Sequence, residues 1–186
     1  MKILSFASSR VFRTWLAKHH RQPDGIWLRI YKKDSGVATV TYAEALDQAL
    51  CFGWIDGQKQ PLNSRSWLQK FTPRRPKSGW SKINTRHAHR LMKSGDMAPA
   101  GLNEVNAAKA DGRWQAAYDS SSSPVVPDDF LRALGKNKEA HTFFKTLNKA
   151  NVYSITYRLQ TAKKPETREK RTRAIVEMLA RGEKFH

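Results

Sequence analysis

The hydrophobic pattern of this chain mixes helical and alternating periods up to a serine- and proline-rich stretch from Asp119 to Asp128 and is helical throughout beyond it, and that division limits the folds open to it. Upstream, helical spacings are interrupted by short alternating runs. Ser8 or Ser9 offers a cap for a helix reaching about His20, with Val11, Phe12, Trp15 and Leu16 on one face. Ile26, Leu28 and Ile30 then alternate with Trp27, Arg29 and Tyr31, the pattern of a strand. Thr41 and Glu44 predict a capping box for a second helix that Gly53 ends. Residues 54–57 and 66–71 read as two strands joined through Pro61, Leu62 and Asn63. Caps at Ser78–Ser81 predict a third helix to about Ser94, with Ile83, Leu91 and Met92 inward, and Pro99 opens a fourth to Ala110. Downstream of the serines every apolar repeat is helical: Phe130, Leu131 and Leu134; Ala140, Phe143, Phe144 and Leu147; Ile155, Leu159 and Ala162; then Ile175, Val176, Met178 and Leu179 after Pro165. The predicted fold is α+β. A small antiparallel sheet packed with helices spans residues 1–118, a Ser/Pro linker spans 119–126, and a helical subdomain spans 127–186.

Charge is distributed as unevenly as structure. The 186 residues carry 34 Lys and Arg against 16 Asp and Glu, a net +18. Between Asp56 and Asp96 there is no acidic residue, while Lys59, Arg65, Lys70, Arg74, Arg75, Lys77, Lys82, Arg86, Arg90 and Lys93 all fall there. Net charge governs association rather than fold, so this stretch points to an anionic partner: a small anion, nucleic acid or a peripheral envelope surface. Cys51 is the only cysteine, so no internal disulfide forms, which fits a reducing cytoplasm. The N-terminus lacks the apolar run of a signal peptide and no stretch approaches a membrane span, so the expected location is cytoplasmic. The sequence does not indicate an oligomeric state.

The candidate binding residues are Trp54, Asp56, Arg74, Arg75, Ser78, Trp80, Ser81 and Asn84. Arg74 and Arg75 follow Pro73 on an extended segment, and paired guanidinium groups grip phosphate or carboxylate in a two-pronged geometry. Among Trp67, Phe71 and Trp80 they have the composition of a cationic groove in which bases stack. The competing reading places the rings in the core, with Trp67, Gln69 and Phe71 on one strand face and Leu68 and Lys70 on the other. Ser78, Ser81 and Asn84 sit at a helix entrance that either caps the helix or accepts an anion. Asp56 beside Arg74 or Arg75 predicts an ion pair with a lowered pKa, structural rather than catalytic. Cys51 falls near a helix C-terminus, where a thiolate is disfavoured. His87 and His89 are two apart and do not form a helical metal pair. There is no zinc spacing, phosphate loop, GxSxG or HExxH, so neither metal nor cofactor is expected and no catalytic residue is assigned.

Three ordered blocks carry a family resemblance: Leu50-Cys51-Phe52-Gly53-Trp54-Ile55-Asp56-Gly57; Phe71-Thr72-Pro73-Arg74-Arg75 with Ser78-Gly79-Trp80-Ser81 and Asn84; and Ala162-Lys163-Lys164-Pro165-Glu166-Thr167-Arg168-Glu169-Lys170-Arg171. Residues 95–101 and 111–114 extend it over nearly the whole chain. The chain resembles the YdeI/OmpD-associated family, also described as bacteriocin-protection proteins. That resemblance implies a link to resistance against antimicrobial peptides or bacteriocins, and a C-terminal part like the family's small OmpD-associated domain. The expected function is therefore non-enzymatic stress resistance through binding of an anionic ligand. The alternatives are a nucleic-acid-binding protein, or an enzyme using Asp56 with Arg74 and Arg75 in an aromatic pocket.

Overall fold

The computed structural model describes residues 1–119 and 124–185. These form two compact units, one of Met1–Trp80 with Asn84–Gln115, the other running from residue 116 onward together with Ser81–Ile83. The fold is α+β. Residues 120–123, the serine core of the expected linker, lie outside the described residues.

In the first unit, β1 (Lys2–Leu4), β2 (Ile26–Tyr31), β3 (Trp54–Asn63) and β4 (Ser66–Pro73) form one sheet in the order β1-β2-β4-β3. The sheet is mixed rather than wholly antiparallel, because β1 pairs with β2 in parallel. The β3–β4 turn falls at Ser64 and Arg65, not at Pro61–Asn63, which belong to β3. Proline is tolerated there because β3 is an edge strand and Pro61 needs no ladder donor. Near Asp56 a bulge sets Gly57 and Gln58 against Lys70 alone. The buried Gln69 amide donates to the carbonyls of Gly57 (2.8 Å) and Gln58 (3.3 Å), so the bulge satisfies a polar core group.

α1 (Ser9–His19) is capped by Ser8, and α2 (Tyr42–Cys51) by the Thr41–Glu44 capping box. Both pack on one face of the sheet. Phe12 meets Phe71 at 6.0 Å between ring centroids and Trp15 meets Trp54 edge-on at 5.9 Å. Phe12, Leu16, Ile26, Leu28, Trp54 and Phe71 fill this core, each contributing roughly 1.5–3 kcal/mol on burial. Val11, expected inward, is exposed. Gly53 ends α2 at φ +73, a left-handed conformation costly for other residues. α3 (Lys82–Lys93) buries Ala88 and Leu91, leaving Ile83 and Met92 half-buried. α4 (Pro99–Ala110) sets Gly101 against the carbonyls of Leu50 and Cys51.

The second unit contains α5 (Asp128–Leu134), α6 (Lys138–Phe144), α7 (Lys149–Gln160) and α8 (Pro165–Ala180) around Phe130, Leu134, Ala140, Ile155, Leu159, Ile175 and Leu179. Asn137 and Asn148 cap α6 and α7. Leu131 is exposed, because a helix this short presents one face and Phe130 with Leu134 occupies it. Arg168 and Arg171 donate to the carbonyls of Leu159 and Arg158, satisfying the end of α7.

Candidate functional site

Arg74 follows β4, and its backbone N–H donates to the Gly53 carbonyl at 2.9 Å, tying the strand exit to the end of α2. Its guanidinium lies 3.8 Å from the centre of the Trp80 ring and donates to the Gly79 carbonyl. Trp80 is fully buried and sits 5.0 Å from Trp114. Arg113 holds the same loop from its other side, donating to the Ser78 carbonyl at 2.8 Å while paired with Asp111. The loop is thus clasped by two arginines. Trp54 is also fully buried, its indole N–H donating to the His20 carbonyl at 2.9 Å. Both tryptophans are core rings, so their faces are not open to a stacked ligand. Of the loop residues proposed from sequence, Arg75 is exposed and Ser78 half-buried.

Asp56 does not make the ion pair expected with Arg74 or Arg75. Its carboxylate accepts the Tyr42 hydroxyl at 2.7 Å, because the β3–β4 register turns it to the α2 side of the sheet, beside Phe71. Burial, then the hydrogen bond to Asp56, then its charge all favour the protonated phenol, so Tyr42 titrates well above the ordinary tyrosine range. Nothing in the spacing of Tyr42 and Asp56 announces this pair; only the register brings it together.

Ser81 belongs to the second unit, while the other seven candidates lie in the first. It forms a parallel bridge to Tyr118, and the next backbone N–H, that of Lys82, donates to the Tyr118 carbonyl at 2.8 Å. Lys82 Nζ pairs with Asp119 at 2.7 Å, and Gln160 also donates to that carboxylate. The helix entrance proposed for an external anion thus has a carboxylate of the chain beside it. Asn84 is half-buried on α3. Arg90 is likewise matched to an acid from outside the acid-free stretch: Asp47 accepts it at 2.6 Å and meets His87 Nδ1 at 2.9 Å. Cys51 is buried, and burial pushes its thiol pKa up despite the nearby Arg13.

A cleft of about 490 Å³ opens beside Arg74. Gly53 and Pro73 line it with Arg74, joined by His20 and Arg21 after α1 and by Ala98, Pro99 and Ala100 at the start of α4; Asn103 and Glu104 complete the wall. α4 has no side-chain cap, so its N-terminal dipole faces this space undiluted. The exposed Arg21 guanidinium and a helix N-terminus suit an anion, Arg74 adds its charge from within the wall with its Nε and Nη1 shielded from solvent, and Glu104 opposes them. Arg74 is the one sequence-predicted site residue in the wall. Arg21 and His20 escaped the sequence reading because they lie outside the acid-free stretch.

The four-stranded sheet with helices on one face, followed by a four-helix unit, defines a two-part α+β protein whose basic surface is partly matched by its own acids. Residues 4–104 match the model of a family described as a domain of unknown function (DUF8412), and since this covers more than half of the chain, the protein belongs to that family. Residues 123–182, the C-terminal helices, match the model described as Bacteriocin-protection, YdeI or OmpD-Associated. The motif blocks before residue 104 thus fall within the first family, and the block at 162–171 within the second. Searches of the curated proteins and of the solved structures found no match. Among the described residues, no helix is long and apolar enough to cross a membrane.

Proposed function

We propose that this is a non-enzymatic stress-resistance protein of the YdeI/OmpD-associated type, protecting against antimicrobial peptides or bacteriocins, and that it acts in the cytoplasm by binding an anionic ligand. The C-terminal family match supports the first part of this reading. The binding part rests on the cleft in which Arg74 and Arg21 flank the uncapped start of α4. A fixed arginine and a helix N-terminus both attract phosphate or carboxylate, and with a protein carrying +18 overall such ligands arrive under electrostatic steering. On this reading Trp54 and Trp80 act from within, Trp54 holding the His20 carbonyl and Trp80 lying against the Arg74 guanidinium.

Calorimetric titration with inorganic phosphate and pyrophosphate at low salt tests the binding. Saturable heat should appear with wild type and weaken about tenfold in Arg21→Gln, an exposed position whose loss leaves the fold intact. Titrations without heat, or unchanged in Arg21→Gln, would remove the cleft as the site. Survival of cells deleted for the gene and challenged with a cationic peptide tests the physiological half. Equal survival with and without the gene would remove the resistance role.

A further inference from the structure

We infer that the sheet face turned away from α1 and α2, built on Trp27, Arg29, Tyr31 and Lys70, is a platform for single-stranded nucleic acid. The register defines this face. Ile26, Leu28 and Ile30 share the helix side with Phe71, Gln69 and Trp67, so Trp27, Arg29 and Tyr31 share the opposite side with Lys70, Leu68 and Ser66. Ile3 of β1 continues the Trp27 row and is 55% exposed, which marks the face as open at that edge. Trp27, Arg29, Tyr31 and Lys70 are partly exposed and form the outer layer of this face, over Leu68 and Ser66, which are buried. No residue that the register places on this face is acidic.

Arg29 is the telling residue. Its Nε donates to Ser66 Oγ at 3.0 Å, that buried hydroxyl donates in turn to Asn63 at 2.9 Å, and the guanidinium lies 4.5 Å from the centre of the Tyr31 ring. The side chain is therefore held in one orientation. Elsewhere in this protein, arginines held in this way spend their terminal nitrogens on carbonyls or carboxylates, as Arg113 and Arg168 do. The terminal nitrogens of Arg29 have no partner among the described residues. A cation oriented in advance and left without an acid is suited to a phosphate.

The neighbours supply the rest of the chemistry. Lys70 Nζ stands 6.0 Å from the Trp27 ring, and Trp27 and Tyr31 are separated by roughly 13 Å along the strand. Aromatic rings and a guanidinium plane alternating with mobile ammonium charge are what unstacked bases and their backbone require. A membrane surface would instead be met by a group of protruding apolar side chains, whereas Ile3 is the one strongly exposed aliphatic side chain the register places on this face. An acidic protein would need the cations and make no use of the rings. Because this face shares no residue with the Arg74 cleft, the inference stands apart from the proposed function.

Fluorescence anisotropy with a labelled oligo(dT) of about twelve nucleotides, over a salt series, tests it. Wild type should bind, with affinity falling linearly on logarithmic axes. The double substitution Arg29→Gln with Lys70→Gln should reduce the slope by about 1.4, two phosphate contacts' worth on a single strand. Trp27→Leu should keep the slope and weaken binding roughly fivefold or more, and Trp27→Phe should restore most of it, which separates stacking from misfolding. Lys163→Gln with Lys164→Gln, two exposed lysines of the second unit, should change neither. The inference is overturned if wild type does not bind, if the Arg29 and Lys70 pair leaves slope and affinity unchanged, or if Trp27→Phe binds no better than Trp27→Leu. It is equally overturned if the double variant loses binding to phosphatidylglycerol vesicles while keeping the oligonucleotide.

Discussion

The hydrogen bond from Tyr42 to Asp56 ties α2 to the edge strand β3. Removing the hydroxyl in Tyr42→Phe leaves a half-buried carboxylate without its donor, so stability should fall by about 1 kcal/mol in denaturant titration. The pH dependence has a definite sign. The folded pKa of Tyr42 lies above its unfolded value near 10, so its contribution is complete below about pH 10 and lost as pH rises through the folded value. Wild type should therefore lose stability on the alkaline side more steeply than Tyr42→Phe. Asp119 acts at the other end of the scale. Burial opposes its ionisation, but the hydrogen bonds from Lys82 and Gln160 outweigh that and hold its pKa below the usual carboxylate value. A lowered folded pKa gives stability that is complete above about pH 4 and lost as pH falls through the folded value. Asp119→Asn should cost about 2 kcal/mol at neutral pH, and the variant's helical signal should be less sensitive to acid than wild type's.

At the scale of elements, α4 depends on how closely it approaches the end of α2. An added Cβ at Gly101 would lie 2.6 Å from the Leu50 carbonyl oxygen, with Cys51's carbonyl and the Met97 sulfur closer still. Alanine gains about 1 kcal/mol in helix propensity, but a clash with backbone costs up to about 3. Gly101→Ala should therefore destabilise the first unit by about 2 kcal/mol, read from tryptophan fluorescence in denaturant. The same elements divide by how they were legible. Caps are local chemistry, so Ser8, the Thr41–Glu44 box, Gly53, Pro99 and Pro165 marked helix ends in the sequence. β1 was not legible: three residues carry no period, and parallel pairing joins segments far apart in sequence. Pro61 suggested a turn because the sequence does not announce which strand will be an edge. The site residues fared likewise. Alternation assigned the two faces of β2 and β4, including the row from Trp27 to Tyr31. Whether Trp80 would be covered depended on Arg74 and Trp114 closing over it, contacts that no local pattern encodes.

At the scale of the molecule, the two units have separate cores, and the tryptophans make this measurable. Trp15, Trp27, Trp54, Trp67, Trp80 and Trp114 all lie in the first unit, so indole fluorescence reports on that unit alone. Far-ultraviolet circular dichroism reports helices in both. Phe130 is fully buried in the core of the second unit, 5.9 Å from Phe144 and packed with Leu134, Ile155 and Leu179. Phe130→Ala removes that ring and should cost about 3–5 kcal/mol, a large share of what a domain of this size can hold. If each unit folds on its own core, the variant should lose part of its helical signal at low denaturant while fluorescence keeps the wild-type midpoint. A single transition, shifted equally in both signals, would instead show that the C-terminal helices and the sheet unit unfold as one cooperative body. The distinction bears on function, because a helical unit that folds independently can be separated from the sheet unit and assayed alone. Any part it plays in the proposed peptide resistance can then be assayed apart from the proposed anion binding at the Arg74 cleft.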